Sequence, residues 1–392
     1  MKRILKAVKV TTVLMAVLAL GISGCAKKPE PPKEPYKIGA IFAATGGASM
    51  LGLPEKNTAE MLVEEINANG GINGSEVKLF MYDTEADPTK AVNAVKKLVS
   101  QDMVDIIIGP TTSGVTMAII PEIEKAKVPL ISCAAAVSIV QPVKQYVFKT
   151  PQTDIMAVEK IYTKLQADGI KRIALITVSN GFGDSGRVQL QNLAANYGLS
   201  IVADERYGGS DTNMTVQLTK IKGTDAQAII CWGTNPGPAV VAKNRKELGI
   251  TIPLYNSHGV ASMAFIEGSE GAAEGTYLPA GKLLIVDQLA ADDPQKKVLA
   301  GYKNAYEAKW GGSVNTFGGH AYDAFKLAVM AIEKAAAGGE VTHDSIRDQL
   351  EKITGFVGTG GIFNFSASDH NGLTKDGFVL VQIVDGNWKL AE

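Results

Sequence analysis

The stretch VDIIIGPTTSGVTMAIIPEIEKAKVPLISCAAA, Val104 to Ala136, decides the fold. It predicts a buried strand at Asp105–Ile108, a Gly-Pro turn, a hydroxyl-rich loop at Thr111–Gly114, a helix, and a second buried strand at Val128–Ser132. The loop joins the carboxyl end of a strand to the amino end of a helix. Unpaired N–H groups and the helix dipole favour an anion at such a position. We expect this stretch to hold the acid group of a small ligand.

The same strand–helix alternation extends in both directions from this stretch. It predicts an α/β fold with parallel sheets covered by helices on both faces. A second unit begins near Asp154 and repeats the arrangement without obvious sequence identity, and a loop at Ser179–Asp184 precedes a helix at Ser185–Tyr197. Another loop is expected at Ala44–Leu53, and a helix at Tyr322–Ala337. The remaining strands are predicted at Lys37–Phe42, Val77–Asp83, Arg172–Val178, Leu199–Asp204, Ala226–Cys231 and Ile252–Tyr255.

Composition limits the class of protein. A chain of 392 residues is longer than one hydrophobic core usually serves, so two domains are expected. The formal net charge is −1 and no Lys/Arg block follows the N-terminus, which argues against a nucleic-acid partner. Cys133 and Cys231 each follow an apolar run and are expected in cores. The four histidines lack zinc-type spacing, so no metal or cofactor is expected.

The first residues form an export signal. Residues 1–24 combine a basic start with a short apolar core, as in a signal peptide. Ile22-Ser23-Gly24-Cys25 resembles the lipobox of bacterial lipoproteins, which implies lipid attachment at Cys25; ordinary cleavage after Ala26 is the alternative. Residues 25–35 are charged and proline-rich, as expected for an extended tether.

No motif in the chain requires bond-breaking chemistry. There is no P-loop, HExxH, CxxC or nucleophile elbow, so we expect a non-enzyme. Hydroxyl or aromatic residues instead follow several predicted strands, at the sheet edge where parallel sheets bind ligands. They are Thr111 to Ser113, Phe182, Trp232, Thr234 and His258.

In its motifs and their order, the chain resembles the periplasmic solute-binding proteins of branched-chain amino-acid ABC importers. The resemblance rests on the lipobox, two βα halves, IGPTTSG, PLISCAAA, FKTPQTD and the GFGDSG loop. It implies two Rossmann-like lobes joined by a three-crossover hinge, the type I periplasmic binding protein fold. Lobe one would comprise residues 36–153 plus 283–354, and lobe two residues 154–282 plus 355–392. It also implies a monomer outside the cytoplasm, anchored to a membrane by its lipid, that delivers a ligand to ABC permease subunits.

The resemblance assigns site residues position by position. The carboxylate-binding serine matches Ser113, and the small residue whose backbone N–H meets the same carboxylate matches Ala134. The hydroxyl two positions later falls on Ala136, which is a departure. The aromatic residues match Phe182 in lobe two and Phe317 in lobe one. Further wall positions fall near Leu51 and around Thr234 or Asn235.

His258 stands where amino-acid binders place the acid that holds the ligand ammonium. A buried ammonium without a carboxylate partner costs several kcal/mol. Histidine replaces that partner poorly, although it can donate to an oxygen. We therefore expect a carboxylate ligand that lacks an α-amine, with an apolar or aromatic body.

Three classes of function are compatible with the sequence. The leading hypothesis is the substrate-binding component of an ABC importer, which captures its ligand by cleft closure. A ligand-sensing regulatory ectodomain of the same fold is the alternative. An exported hydrolase using Ser113 would need a base, and none is evident beside it.

Overall fold

The structure is a computed structural model that describes residues 33–391. The signal peptide, Cys25 and most of the tether lie outside the described residues. No helix within the described range has the length and apolar character needed to span a membrane.

The first lobe is built on a five-stranded parallel sheet in the order β2-β1-β3-β4-β5. Helices pack on both faces because both faces of the sheet are apolar: Ile38 and Phe42 lie in one core, and Ile41 and Ile107 lie in the other. The strands are β1 (Tyr36–Phe42), β2 (Val77–Asp83), β3 (Ile106–Ile108), β4 (Leu130–Ser132) and β5 (Val147–Lys149). The helices are α1 (Ser49–Ala68), α2 (Pro88–Lys97), α3 (Ser113–Ala126), α9 (Lys296–Trp310), α10 (Thr316–Ala337) and α11 (His343–Leu350).

The second lobe is built on a seven-stranded sheet in the order β14-β13-β10-β9-β8-β6-β7. Its five strands from β6 to β10 are parallel, and β13 and β14 extend it as an antiparallel ribbon. The strands are β6 (Arg172–Val178), β7 (Ser200–Tyr207), β8 (Ala228–Trp232), β9 (Leu254–Asn256), β10 (Tyr277–Ala280), β13 (Val379–Val384) and β14 (Asn387–Leu390). The helices are α4 (Asp154–Ala167), α5 (Gly181–Ala194), α6 (Thr215–Lys222), α7 (Gly237–Glu247) and α8 (Met263–Gly268). The predicted α/β fold with two parallel-sheet lobes is confirmed.

Three helices begin earlier than the sequence predicts. The helix expected from Ser185 begins at Gly181, because the Asn180 side chain accepts hydrogen bonds from the N–H groups of Phe182 and Gly183. The helix expected from Tyr322 begins at Thr316, behind the cap of Asn315. The loop expected at Ala44–Leu53 is helical from Ser49 onward.

The chain passes between the two lobes three times, and buried polar side chains bind the crossing segments together. Gln152 Nε2 donates to the carbonyl oxygens of Gly360 (2.6 Å) and Gly377 (2.9 Å). Asp323 accepts hydrogen bonds from the backbone N–H of Thr359 (2.6 Å) and of Gly360 (2.7 Å). Burial raises the pKa of the Asp323 carboxyl to about 7. The crossing point is therefore a fixed hydrogen-bonded unit, which suits a hinge.

The lobe limits in sequence stay a proposal. The short hairpin of β11 (Phe356–Val357) and β12 (Ile362–Phe363) precedes Phe365 and Leu373. Phe363, Phe365 and Leu373 are buried in the same core as Phe148 of β5. We therefore place the third crossing after Leu373, rather than at residue 355 as the sequence suggested.

Candidate functional site

A cavity of about 460 Å³ lies between the carboxyl ends of the two sheets. Lobe one lines it from Ala48 and Leu51 of the first βα connection, from the loop at 111–115, and from α10. Lobe two contributes the start of α5 and the segments that follow β7, β8 and β9. Six of the predicted site residues line this cavity: Ser113, Ala134, Phe182, Thr234, His258 and Phe317.

The lobe-one wall is the amino end of α3. Thr112 is the N-cap residue of this helix, but its side chain accepts no hydrogen bond from the first N–H groups of the helix. Ser113 Oγ accepts a hydrogen bond from the Ala136 N–H (3.2 Å), which leaves its hydroxyl proton able to donate to a ligand. The Ala134 N–H donates to Ser132 Oγ (3.1 Å).

Ala136 itself does not line the cavity. It is buried, and its N–H is engaged with the hydroxyl of Ser113. Its contribution is to orient Ser113, because the bond fixes which way the serine lone pairs face. The direct contact expected at this position is absent from the lining.

A buried acid lies beneath the same loop. Thr111 Oγ1 accepts from the Ala43 N–H (3.0 Å) and donates to the carboxyl of Glu55, which is fully buried on α1. Burial raises the pKa of Glu55 well above its usual value. This shift favours the uncharged form of the carboxyl behind the anion site.

The lobe-two wall is aromatic. Phe182 lies in the first turn of α5, with its ring centroid 5.3 Å from that of His258 and 5.8 Å from that of Trp232. Trp232 does not line the cavity: it is fully buried as the last residue of β8, behind Phe182. A methyl group at Gly186 would lie 2.1 Å from the indole, so glycine at this position makes room for the ring. Trp232 therefore supports the wall from behind.

Two histidines line the cavity. His258 lies in a short 3₁₀ turn at His258–Val260, after β9, and His320 lies in α10. Burial is the main cause that lowers the pKa of each imidazole to about 3, and the nearby charge of Lys149 lowers both further. Both rings are therefore neutral at physiological pH.

The sequence did not single out His320, Tyr207 or Glu55 as parts of the site. His320 follows Phe317 by three residues, and this spacing places both on one helix face once α10 is known to begin at Thr316. Tyr207 ends β7, a position the rule about strand carboxyl ends could have identified. Glu55 gave no signal, because it reaches the loop only through the packing of α1.

No buried carboxylate lines the cavity among residues 33–391. The acidic residue in the lining is Glu85, which is exposed and forms an ion pair with Lys90. The same described range holds no cluster of potential metal ligands. The sequence Asp369-His370-Asn371-Gly372 contains two potential metal ligands, but it forms an ordinary turn in which the Asp369 side chain accepts hydrogen bonds from the N–H groups of Asn371 and Gly372.

The two lobes touch at the cavity mouth. The backbone of Gly181, at the start of α5, lies against the backbone of Gly114, at the start of α3. Asp154 also joins the lobes, because it accepts from the Val137 N–H of lobe one and from the Ser185 hydroxyl of lobe two. The structure therefore has a closed cleft.

This fold and interlobe cavity define a two-lobed ligand-binding protein. The family model for periplasmic binding proteins matches residues 35–387, and the chain belongs to that family. Membership indicates an extracytoplasmic protein with a substrate-binding role.

Individual relatives agree with this class. The chain is 24% identical over 333 residues to a leucine-, isoleucine-, valine-, threonine- and alanine-binding protein of Pseudomonas aeruginosa, covering 84% of this chain and 85% of that protein. An extracellular ligand-binding receptor from Rhodopseudomonas palustris HaA2 is 30% identical with a TM-score of 0.86, over 92% of this chain and 100% of that one. A branched-chain amino-acid transporter substrate-binding protein from Streptococcus pneumoniae, solved with isoleucine, is 26% identical with a TM-score of 0.79, over 92% of this chain and 99% of that one.

Proposed function

We propose that this protein is the substrate-binding component of an ABC importer and that its ligand is a small carboxylate without an α-amine. The single observation that carries the ligand class is the chemistry of the cavity: among residues 33–391 its lining includes the uncapped amino end of a helix, which suits an anion, but no buried carboxylate to hold an ammonium. The relatives that bind branched-chain amino acids support the importer role. The amine-binding position, occupied here by neutral His258, argues against the same ligand.

Binding would proceed by closure of the cleft. The ligand carboxylate meets the amino end of α3 and the hydroxyl of Ser113, while its apolar body lies between Phe317 of lobe one and Phe182 of lobe two. Because each lobe supplies part of the contact surface, the ligand stabilises the closed state over the open one. The closed form is then the one that a membrane permease would recognise.

A hydrolase function has less support. Within residues 33–391 the recorded partner of Ser113 Oγ is the Ala136 N–H, and no imidazole hydrogen-bonds to this hydroxyl. We therefore propose a non-enzyme. A sensory ectodomain of the same fold would use the same site, and uptake of labelled ligand by cells with and without the gene separates it from a transporter.

Leucine and 4-methylpentanoate provide a matched test, since they differ only by the α-amine. We expect calorimetric titration to show binding of 4-methylpentanoate or of 3-phenylpropanoate, and weak or undetectable binding of leucine and phenylalanine. An unpaired buried ammonium costs several kcal/mol, which corresponds to a hundredfold or more in affinity, as an order of magnitude. Tight binding of leucine would refute the proposed ligand class while leaving the binding-protein role intact.

Lipid attachment at Cys25 and a monomeric state stay predictions. Mass spectrometry of the membrane-extracted protein would show the acylated N-terminal cysteine.

A further inference from the structure

Three uncharged polar side chains around the cavity have atoms without a hydrogen-bond partner among the described residues. The atoms are both ring nitrogens of His258, Nδ1 of His320 and Oδ1 of Asn235. All three residues line the cavity, and each is more than nine-tenths buried. Buried polar atoms are normally satisfied, so a group of three such residues around one cavity indicates that a ligand satisfies them.

The protonation state of the imidazoles limits which chemical group can bind there. Burial holds the pKa of both His258 and His320 near 3, so each ring offers one N–H donor and one nitrogen acceptor. An ammonium only donates and would bury its charge without a counter-ion. A carboxylate only accepts and would leave the acceptor nitrogen of each imidazole without a partner. A hydroxyl group donates and accepts without charge, and it fits the available partners.

The partners come from both lobes. His320 is carried by α10 of lobe one, whereas His258 and Asn235 follow strands of lobe two. Because these residues line one cavity from opposite lobes, a ligand hydroxyl that contacts both sides would stabilise the closed cleft.

We propose that His258, His320 and Asn235 form a hydroxyl-binding subsite, so that the ligand is a carboxylate that also carries at least one uncharged hydroxyl group. This inference rests on the proposed function, because the carboxylate is assigned to the amino end of α3. The subsite would be a second recognition element, which discriminates between carboxylates that carry a hydroxyl group and those that do not. A site built around buried donors and acceptors discriminates strongly against an analogue that lacks the bonding group.

A calorimetric panel at pH 7.5 tests the subsite. The panel compares 3-phenylpropanoate with its 2-, 3- and 4-hydroxyphenyl derivatives, 4-methylpentanoate with 2-hydroxy-4-methylpentanoate, and includes 3-(4-carboxyphenyl)propanoate and leucine. We expect at least one hydroxylated acid to bind about ten- to a hundredfold more tightly than its parent. His258→Leu and His320→Leu should remove that gain, so that each variant binds the hydroxylated acid and its parent with equal affinity.

The variants need a folding control. Each is compared by thermal melting without ligand, and His258→Gln and His320→Gln, which keep a donor and an acceptor, should recover part of the hydroxyl gain. His343→Gln lies outside the cavity and should leave both affinities unchanged.

The outcomes separate the two proposals. Equal affinity for every hydroxylated acid and its parent would overturn the subsite and leave the carboxylate ligand intact. Preference for the dicarboxylate would also overturn it, since the second group would then be charged. Binding of leucine with no binding of any amine-free carboxylate would instead refute the ligand class given under the proposed function.

Discussion

The contact between Gly181 and Gly114 predicts that adding one methyl group will impair ligand binding without impairing folding. A Cβ on Gly181 would lie 2.8 Å from Gly114 Cα and 2.9 Å from Gly114 N, well inside normal contact distance. Gly181 lies at the start of α5 and its backbone does not have a positive φ, so alanine fits the isolated lobe. The clash exists only when the lobes meet.

The expected magnitude follows from the cost of overpacking, which is typically about 1 to 3 kcal/mol. When the free protein has an open cleft, this cost is subtracted from the binding free energy. Affinity should therefore fall by a factor of about 5 to 150. Calorimetric titration with the tightest carboxylate of the panel measures this change, and small-angle scattering of the saturated protein should show a larger radius of gyration than wild type.

The same contact supplies its own control. A Cβ on Gly114 would lie 3.7 Å from Gly181 N and 3.9 Å from Gly181 Cα, which is ordinary van der Waals contact. Gly114→Ala should therefore bind as wild type does, and so should Gly301→Ala, where no atom lies within 4 Å of the added methyl group. Equal affinities for Gly181→Ala and Gly114→Ala would refute the reasoning, and so would a large loss of thermal stability in the ligand-free Gly181→Ala variant.

Three further predictions concern the anion site and the hinge. Ser113→Ala should weaken carboxylate binding by about tenfold in calorimetry, because one hydrogen bond to a charged group is lost; unchanged affinity would remove Ser113 from the site. Asp323→Asn should lower the free energy of unfolding by about 2 to 4 kcal/mol in denaturant titrations, because its amide would point a donor at the N–H of Gly360; an unchanged midpoint would contradict the hinge role. Burial lowers the pKa of Lys149 to about 7, against about 10.4 in an unfolded chain. Above pH 7 the unfolded state therefore binds more protons than the folded state. The free energy of unfolding should rise by about 1 kcal/mol per pH unit between pH 7 and 9. Lys149→Met should flatten that rise and the exposed Lys78→Met should not; a rise that persists in Lys149→Met would assign it to another group.

Most strands of the two sheets were predictable because their apolar runs are short and continuous, whereas β5 and β10 were not predicted. Arg172–Val178 forms a strand with the bounds that the sequence predicts. The signal resides within each segment and needs no tertiary information. The α/β class with parallel sheets followed from the order of these strands and helices, and the two-lobed arrangement followed from the family resemblance.

The helix starts at the cleft were not predictable from local propensity. Asn180-Gly181-Phe182-Gly183 looks like a loop, since glycine disfavours helices. The Asn180 cap makes it a helix, and the glycines are required by close backbone contacts: a methyl group at Gly183 would lie 1.8 Å from the Val178 carbonyl oxygen. Sequence features that weaken a helix locally are here the consequence of packing against its neighbours.

The candidate site was predictable only where its residues directly follow predicted strands. Ser113 and Phe182 follow strands at the sheet edge, where position alone suggests contact with a ligand. His320 could be placed beside Phe317 only once the start of α10 was known, and Glu55 reaches the site through the packing of α1 with no local pattern to mark it. Trp232 shows the opposite case, since a residue at a strand end can face the core rather than the cleft.

The burial of Trp232 behind the cavity wall has an optical consequence. The chain has three tryptophans. Trp310 is exposed, and Trp388 lies in the edge strand β14; neither lines the cavity. The indole of Trp232 has aromatic contacts with Phe182 and His258, both of which line the cavity. Its emission is therefore sensitive to changes in those two rings, so that the unlabelled protein carries an intrinsic fluorescence reporter of an occupied cleft.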